Sequence, residues 1–256
     1  MLLRHRKILA SITRVEFAKR YSGSAFGMLW VVLQPALLLS IYLFVYMVIF
    51  KMRFPGYSQL DYVLFVFCGL VPYIGFMEAI NTGCHAVKQN IHLVKNVMLP
   101  IELIPARYVA MAMVSQLVSL AMVLILVTLN GSLSWHLLWL PLVLILQIMF
   151  LLGLVWIVSA LAVALPDISY FINLATLLLL FISPIGFKPE MVPSGLDFMI
   201  YLNPIYYMTE MFRASLLYGV WPAAKTALIY TVMCGCTFAL GATFFRKFKG
   251  VLVDYE

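Results

Sequence analysis

Residues 138–165 read LWLPLVLILQIMFLLGLVWIVSALAVAL, without a single charged side chain. About 20 apolar residues in an α-helix cross the roughly 30 Å hydrocarbon core of a bilayer, so this stretch is long enough to span one. Working outward, five further runs of the same character lie near 28–50, 62–82, 108–130, 168–187 and 223–245. The predicted fold class is therefore an all-α integral membrane protein with six transmembrane helices.

Composition agrees. The 256 residues are 64% apolar and 11% charged, with a mean hydropathy of +1.03. A soluble domain is about half apolar and about a quarter charged. Six spans leave too little chain for a second folded unit, so residues 1–256 read as one membrane domain. The net charge of +7 would suit a polynucleotide, but the basic residues gather at span ends, and no nucleic-acid partner is expected. Cys68, Cys84, Cys234 and Cys236 have no further metal ligands nearby in sequence and read as small packing residues, so no metal is expected. The apolar run after the basic N-terminus exceeds the core of a signal peptide and has no A-x-A-like site behind it, so the N-terminus is expected to stay in the mature protein.

Basic residues also orient the chain. Arg4, Arg6, Lys7, Arg14, Lys19 and Arg20 precede the first span; Lys88, Lys95 and Arg107 lie between the second and third; Arg246, Lys247 and Lys249 follow the sixth. The other side carries only Lys51, Arg53, Lys188, Arg213 and Lys225. By the positive-inside rule both termini are cytoplasmic. Within residues 1–22, Ile8, Ile12 and Val15 share one helical face, which suits a helix lying along the headgroup boundary and turning into the first span near Gly23 and Gly27. Residues 83–107 form the longest cytoplasmic connection. The prolines at 100 and 105 suggest a short helix over about 86–97, then a break before the third span. Residues 188–222 are too broken by proline for one span and too aromatic for an exposed loop, so two half-helices dipping into the membrane are expected. Irregular backbone at that depth requires protein burial or a water-lined cavity.

The span interiors are informative by what they lack. Their polar side chains are the neutral Gln34, Gln116, Gln147 and Asn173, with Glu78 as the lone carboxylate. Glu78 reads as a partner for a neighbouring basic side chain or for interfacial water. Ion-coupled transporters carry ionisable groups near mid-membrane, and these are missing. No G-x-x-x-x-G-K-[ST] phosphate loop is present, so energy for active transport must come from another subunit. No H-E-x-x-H, G-x-S-x-G or paired carboxylates suggest an enzyme. The remaining resource is aromatic: Trp30, Tyr42, Tyr46, Phe181, Tyr206 and Tyr207 stand out as candidate channel lining. Aromatic faces stack on the apolar faces of a sugar ring, and tyrosine hydroxyls bond its polar groups. The competing reading of each is lipid packing or an interfacial belt.

These residues resemble a known family. EFAKRYSGSAFGMLWVVLQP (residues 16–35), NIHLVKNVMLPIELIP (90–105), ISPIGFKPEMVP (182–193) and LNPIYY (202–207) with Phe212 and Arg213 resemble, in order, segments of the permease subunits of type-2 ABC exporters for polysaccharides, in the O-antigen and teichoic-acid group. The resemblance implies a bacterial inner-membrane homodimer that encloses a channel for a lipid-linked glycan. It also implies two cytoplasmic ABC ATPase subunits, which hold the ATP and magnesium; this chain itself needs no cofactor. Residues 1–22, with Ile8, Ile12, Val15 and Arg20, would be the interface helix. Val87, Lys88, Asn90, Leu93, Val94 and Lys95 would lie in the main ATPase-coupling helix, with Pro166 and Asp167 at a second contact. The chain departs from the family pattern at Ile101, often basic in relatives, at Pro166, often arginine, and at Gly186, often aromatic. An ATP-driven exporter of a drug or lipid, without a glycan, is the alternative reading.

Overall fold

The computed structural model describes residues 5–51, 58–90 and 100–254. Among these the secondary structure is helical throughout: α1 (Arg6–Tyr21), α2 (Gly27–Ile49), α3 (Gln59–Cys84), α4 (Ala86–Gln89), α5 (Leu103–Leu129), α6 (Trp135–Ala164), α7 (Ile168–Ile182), α8 (Asp197–Tyr201), α9 (Pro204–Arg213) and α10 (Ala224–Asp254). α2, α3, α5 and α6, with α10, are the five helices long and apolar enough to cross a membrane.

α3 is the hub. Apolar residues surround it on every face, and α5, α6, α7 and α9 all pack on it. Ser58 starts it with a capping box, its hydroxyl accepting from the Asp61 amide while Asp61 accepts from the Ser58 amide, which satisfies two otherwise free donors. α2 lies at the periphery, with few of its residues fully buried.

Two sequence expectations are corrected. Pro105 does not break the chain before the third span: α5 already begins at Leu103. In the first turn of a helix the missing proline amide has no intrahelical partner to lose. The fifth span, expected over 168–187, ends at Ile182; at 15 residues it is about 22 Å long, short of the hydrocarbon thickness. Pro184 stops it by pushing Ser183 into extended geometry. Residues 183–186 continue as buried non-helical chain.

Small residues and neutral amides hold the spans together. Gly153 on α6 and Gly241 on α10 face each other so closely that a Cβ at either would overlap the other helix's backbone. Gln116 and Gln147, both fully buried, exchange amide hydrogen bonds at 2.7 and 2.9 Å, and Gln147 also donates to the Pro72 carbonyl at 3.1 Å. Gly75 on α3 leaves the space that the Gln116 amide fills. In a dry interior each amide depends on the other, since a lone buried amide keeps its full desolvation cost. Gln116→Leu and Gln147→Leu are therefore each expected to destabilise the protein, and the double substitution to cost less than the sum of the two. The coupling should be about 1–2 kcal/mol, read from a double-mutant cycle of thermal unfolding in micelles; strict additivity would rule it out.

Candidate functional site

The end of the bundle that carries α1, α4 and the last turns of α10 is tied by charge. Arg107, nearly fully buried, donates to the Asn90 side-chain oxygen at 2.7 Å and to the Tyr108 hydroxyl at 3.2 Å, and pairs with Glu16 at 3.6 Å. Asn90 in turn donates to the Ala86 carbonyl at 2.8 Å. One guanidinium thus joins α1, the α4 segment and the start of α5. Beside it Arg20 pairs with Glu78, whose carboxylate also accepts from Ser115 at 3.3 Å. Burial works against the Arg20 charge, but adjacent Glu78 outweighs it and moves the guanidinium up from its ordinary value. Lys249 pairs with Glu102 at 3.5 Å. Arg20, Gln34, Glu78, Asn81 and Ser115 line a cleft of about 190 Å³ between α1, α2, α3 and α5.

The candidate coupling residues divide by exposure. Lys88, Pro166 and Asp167 are exposed, whereas Val87 and Asn90 are buried inside the subunit. Leu93, Val94 and Lys95 lie outside the described residues. On α1, Ile8 and Val15 are exposed and Ile12 half-buried, while Thr13, Phe17 and Tyr21 form the face that packs inward. Ile101 is buried. The sequence reading took Arg107 as an orienting charge and passed over Glu16 and Glu102. Their only signal is that each acidic residue flanks an apolar run otherwise edged by basic ones. Truncating Arg107 leaves Glu16 and Asn90 without their partner. Arg107→Ala is therefore expected to loosen α1 by about 1.5–3 kcal/mol, so that trypsin cuts at Arg14 and Lys19 at least roughly tenfold faster. Unchanged cleavage would contradict the anchoring role.

The candidate aromatics gather in separate places. Tyr42 and Tyr46 stack with ring centroids 5.9 Å apart at 27°, and Phe50 meets Tyr46 edge-on at 5.7 Å. Tyr46 sits in the π-helical turn Phe44–Ile49. Its ring lies directly over Gly186, in the space a larger side chain there would occupy. The aromatic that the family resemblance would place at 186 is absent, and a ring reaching over from α2 fills its place. Tyr62 fixes the same point, donating to the Gly186 carbonyl at 3.0 Å. Tyr206, Tyr207 and Tyr201 form a second group, with centroids 5.0 and 5.7 Å apart, and the Tyr207 hydroxyl donates to the Tyr201 carbonyl at 2.8 Å. Phe181 stands exposed on α7, and Trp30 packs edge-on against Phe26 at the start of α2. Gln34 and Asn173 are exposed, unlike the buried amide pair.

α9, continued by the turn Ala214–Tyr218 and closed at Gly219 in left-handed geometry, packs against α3 and α10. It brings the fully buried Arg213 beside Gly69, ten residues and about 15 Å along α3 from Gln59. Arg213 donates to the carbonyls of Pro184 and Ile185, both at 2.8 Å, and of Phe65 at 3.3 Å. It pairs with Glu210 at 2.9 Å and lies 3.6 Å over the Phe65 ring. Two carbonyls of the buried non-helical segment after α7 are satisfied by this one side chain and a third by Tyr62, as irregular backbone away from water must be. The sequence reading counted Arg213 among loop charges; the Glu210 three residues before it was the available signal. Among the described residues no group of three or more His, Cys, Asp or Glu side chains is placed to hold a metal ion.

The described residues thus form an apolar helical bundle, with five helices long enough to cross a membrane, a charge-tied end and a buried irregular segment. The sequence model of the ABC-2 type transporter family matches residues 8–217, and the chain belongs to that family. Among curated relatives, it is 27% identical over 246 residues to an O-antigen export system permease protein of Klebsiella pneumoniae, covering 94% of this chain and 92% of the relative. It is also 27% identical over 216 residues to an O-antigen export system permease protein of Myxococcus xanthus, covering 83% of this chain and 81% of that one.

Proposed function

We infer that this protein is the permease subunit of an ATP-driven exporter that moves a lipid-linked O-antigen polysaccharide outward across the bacterial inner membrane. Two copies form the conduit, and two cytoplasmic ABC ATPase subunits supply the energy. The observation that carries this reading is the match to O-antigen export permeases over nearly the whole chain. Physical features support it. α2 and α7 bear the aromatic residues Tyr42, Tyr46 and Phe181 and have largely exposed outward faces. These suit the wall of a conduit completed by a second subunit, where a sugar ring slides over flat rings without one deep trap.

On this reading the basic end is cytoplasmic and faces the ATPase. Lys88, Pro166 and Asp167 meet the partner, and Val87 and Asn90 anchor the coupling segment within the subunit. Motion there passes through Asn90 and Arg107 to α5, because their bond is buried and has no water to substitute for it, and on to α1 through the more exposed Glu16 pair. At the opposite end the tyrosines near Gly186 and at 201–207 border the exit.

Co-purification with a co-expressed ABC ATPase subunit from the same source, followed by ATPase assay with lipid-linked oligosaccharide, tests the proposal. Stimulation of hydrolysis by the glycan lipid is the expected result. Stimulation by a drug or bare lipid but not by the glycan lipid would overturn it. Tyr42→Ala and Tyr46→Ala are expected to slow export more than Leu37→Ala, which removes an exposed apolar side chain from the same helix. Equal effects would assign the tyrosines to packing.

A further inference from the structure

A groove of about 820 Å³ opens between α1, α5, α6 and α10, with no lining residue from α2, α3, α7 or residues 183–222. Its walls are apolar, with Met113, Ile148, Trp156 and Phe245 among them, and Ala110 and Ala242 leave its width. On α5 it runs from Glu102 to Met113, and on α6 from Trp156 to Ile145. Each interval is eleven residues, about 16 Å of helix. That is the depth of one leaflet, half of a roughly 30 Å hydrocarbon core. The groove therefore stops at mid-membrane, too short for a transmembrane helix of a partner protein, which needs the full thickness.

Its open end, level with the starts of α1 and α5, is edged by Arg6 and Arg246, both exposed. Neither forms an ion pair among the described residues. The one acidic residue at the rim, Glu102, is already paired with Lys249. A dry, leaflet-deep slot closed by two uncompensated guanidinium groups is complementary to acyl chains below a phosphate, and guanidinium bonds phosphate oxygens in bidentate fashion. We propose that this groove binds a diacyl phospholipid with an anionic headgroup, its chains lying along α5 and α6 and its phosphate between Arg6 and Arg246. The bound lipid would bridge α1 to α10, elements at opposite ends of the chain. The site is separate from the aromatic faces assigned to the cargo, and the proposal does not depend on what is exported.

The test uses the full-length protein reconstituted into vesicles of equimolar phosphatidylglycerol and phosphatidylcholine, re-extracted, and examined by native mass spectrometry for retained lipid. Each basic side chain at the headgroup level favours an anionic lipid by about fivefold. The wild-type protein should retain phosphatidylglycerol over phosphatidylcholine by well over tenfold. Arg6→Gln with Arg246→Gln should abolish the preference while leaving chain binding. Ala242→Phe should expel both lipids. A measurement without variants stands beside these: phosphatidylglycerol added to micelles should raise the unfolding temperature of the wild-type protein, and phosphatidylcholine should not. Equal retention of the two lipids, an unaltered preference in the double arginine variant, or a polyprenyl phosphate or second protein copy in the groove would each overturn the proposal.

Discussion

Arg213→Met is expected to cost the protein at least about 3–5 kcal/mol, the range for breaking a buried ion pair from one side. At this chain length that lowers the unfolding temperature by about 6–20 °C. The substitution keeps an apolar stem of similar length, so the loss isolates the guanidinium. That group satisfies the Pro184 and Ile185 carbonyls, which have no helix to return to, and it neutralises Glu210. Arg213→Lys should fall between the two, because one ammonium on a flexible stem cannot serve both carbonyls, Glu210 and the Phe65 ring at once. The readout is the temperature at which micelle-solubilised protein leaves its monodisperse peak. A methionine variant within a degree of wild type would show that the segment after α7 finds its partners elsewhere. Export should fall with stability, since the same segment carries Gly186, on which Tyr46 rests.

Gly153→Ala should be of comparable severity for a different reason. The atoms its Cβ would meet are the backbone of Thr237 and Phe238, not the movable tip of a side chain. Nothing can swing aside, so α6 and α10 must part along their length. In lipid, where helix association rests on close van der Waals contact, a crossing held by small residues has no hydrophobic term to compensate. Gly241→Ala meets the backbone of Gly153 in return and should behave alike. Gly235, on the same α10, has open space around its Cβ. Gly235→Ala should be neutral or stabilise by about 0.4–1 kcal/mol through reduced unfolded-state entropy. Opposite signs at Gly235 and Gly241, measured by the same thermal assay, would establish that proximity and not helix propensity decides. Equal effects at the two sites would refute it.

Much of this architecture is legible in the chain. The long spans sit within a few residues of the apolar runs, because crossing a bilayer depends on the summed hydrophobicity of one contiguous segment. The amphipathic α1 and the irregular, proline-broken region before α10 are visible for the same reason: periodicity and backbone restriction are local. Even the requirement that irregular backbone be buried is predictable, though not the residue that meets it. Where sequence reasoning misplaced a boundary, at Pro105 and at Ile182, the deciding factor was still local, namely proline's different effect in a first turn and after a last one.

The pairings are another matter. Gln116 and Gln147 look alike as isolated neutral polar residues, as do Gln34 and Asn173, yet only the first two meet in the dry interior. Arg107 and Arg213 read as flank charges until helix packing sets Arg107 beside Glu16 and Arg213 beside Glu210, and the basic partner that Glu78 called for becomes Arg20 only in the folded chain. Gly153 and Gly241 lie far apart in the chain and become one contact only when α6 crosses α10. Hydrophobic content belongs to a segment and survives being read alone. Complementarity of an amide, an ion pair or a notch belongs to two segments at a fixed distance, and that distance exists only once the helices have packed.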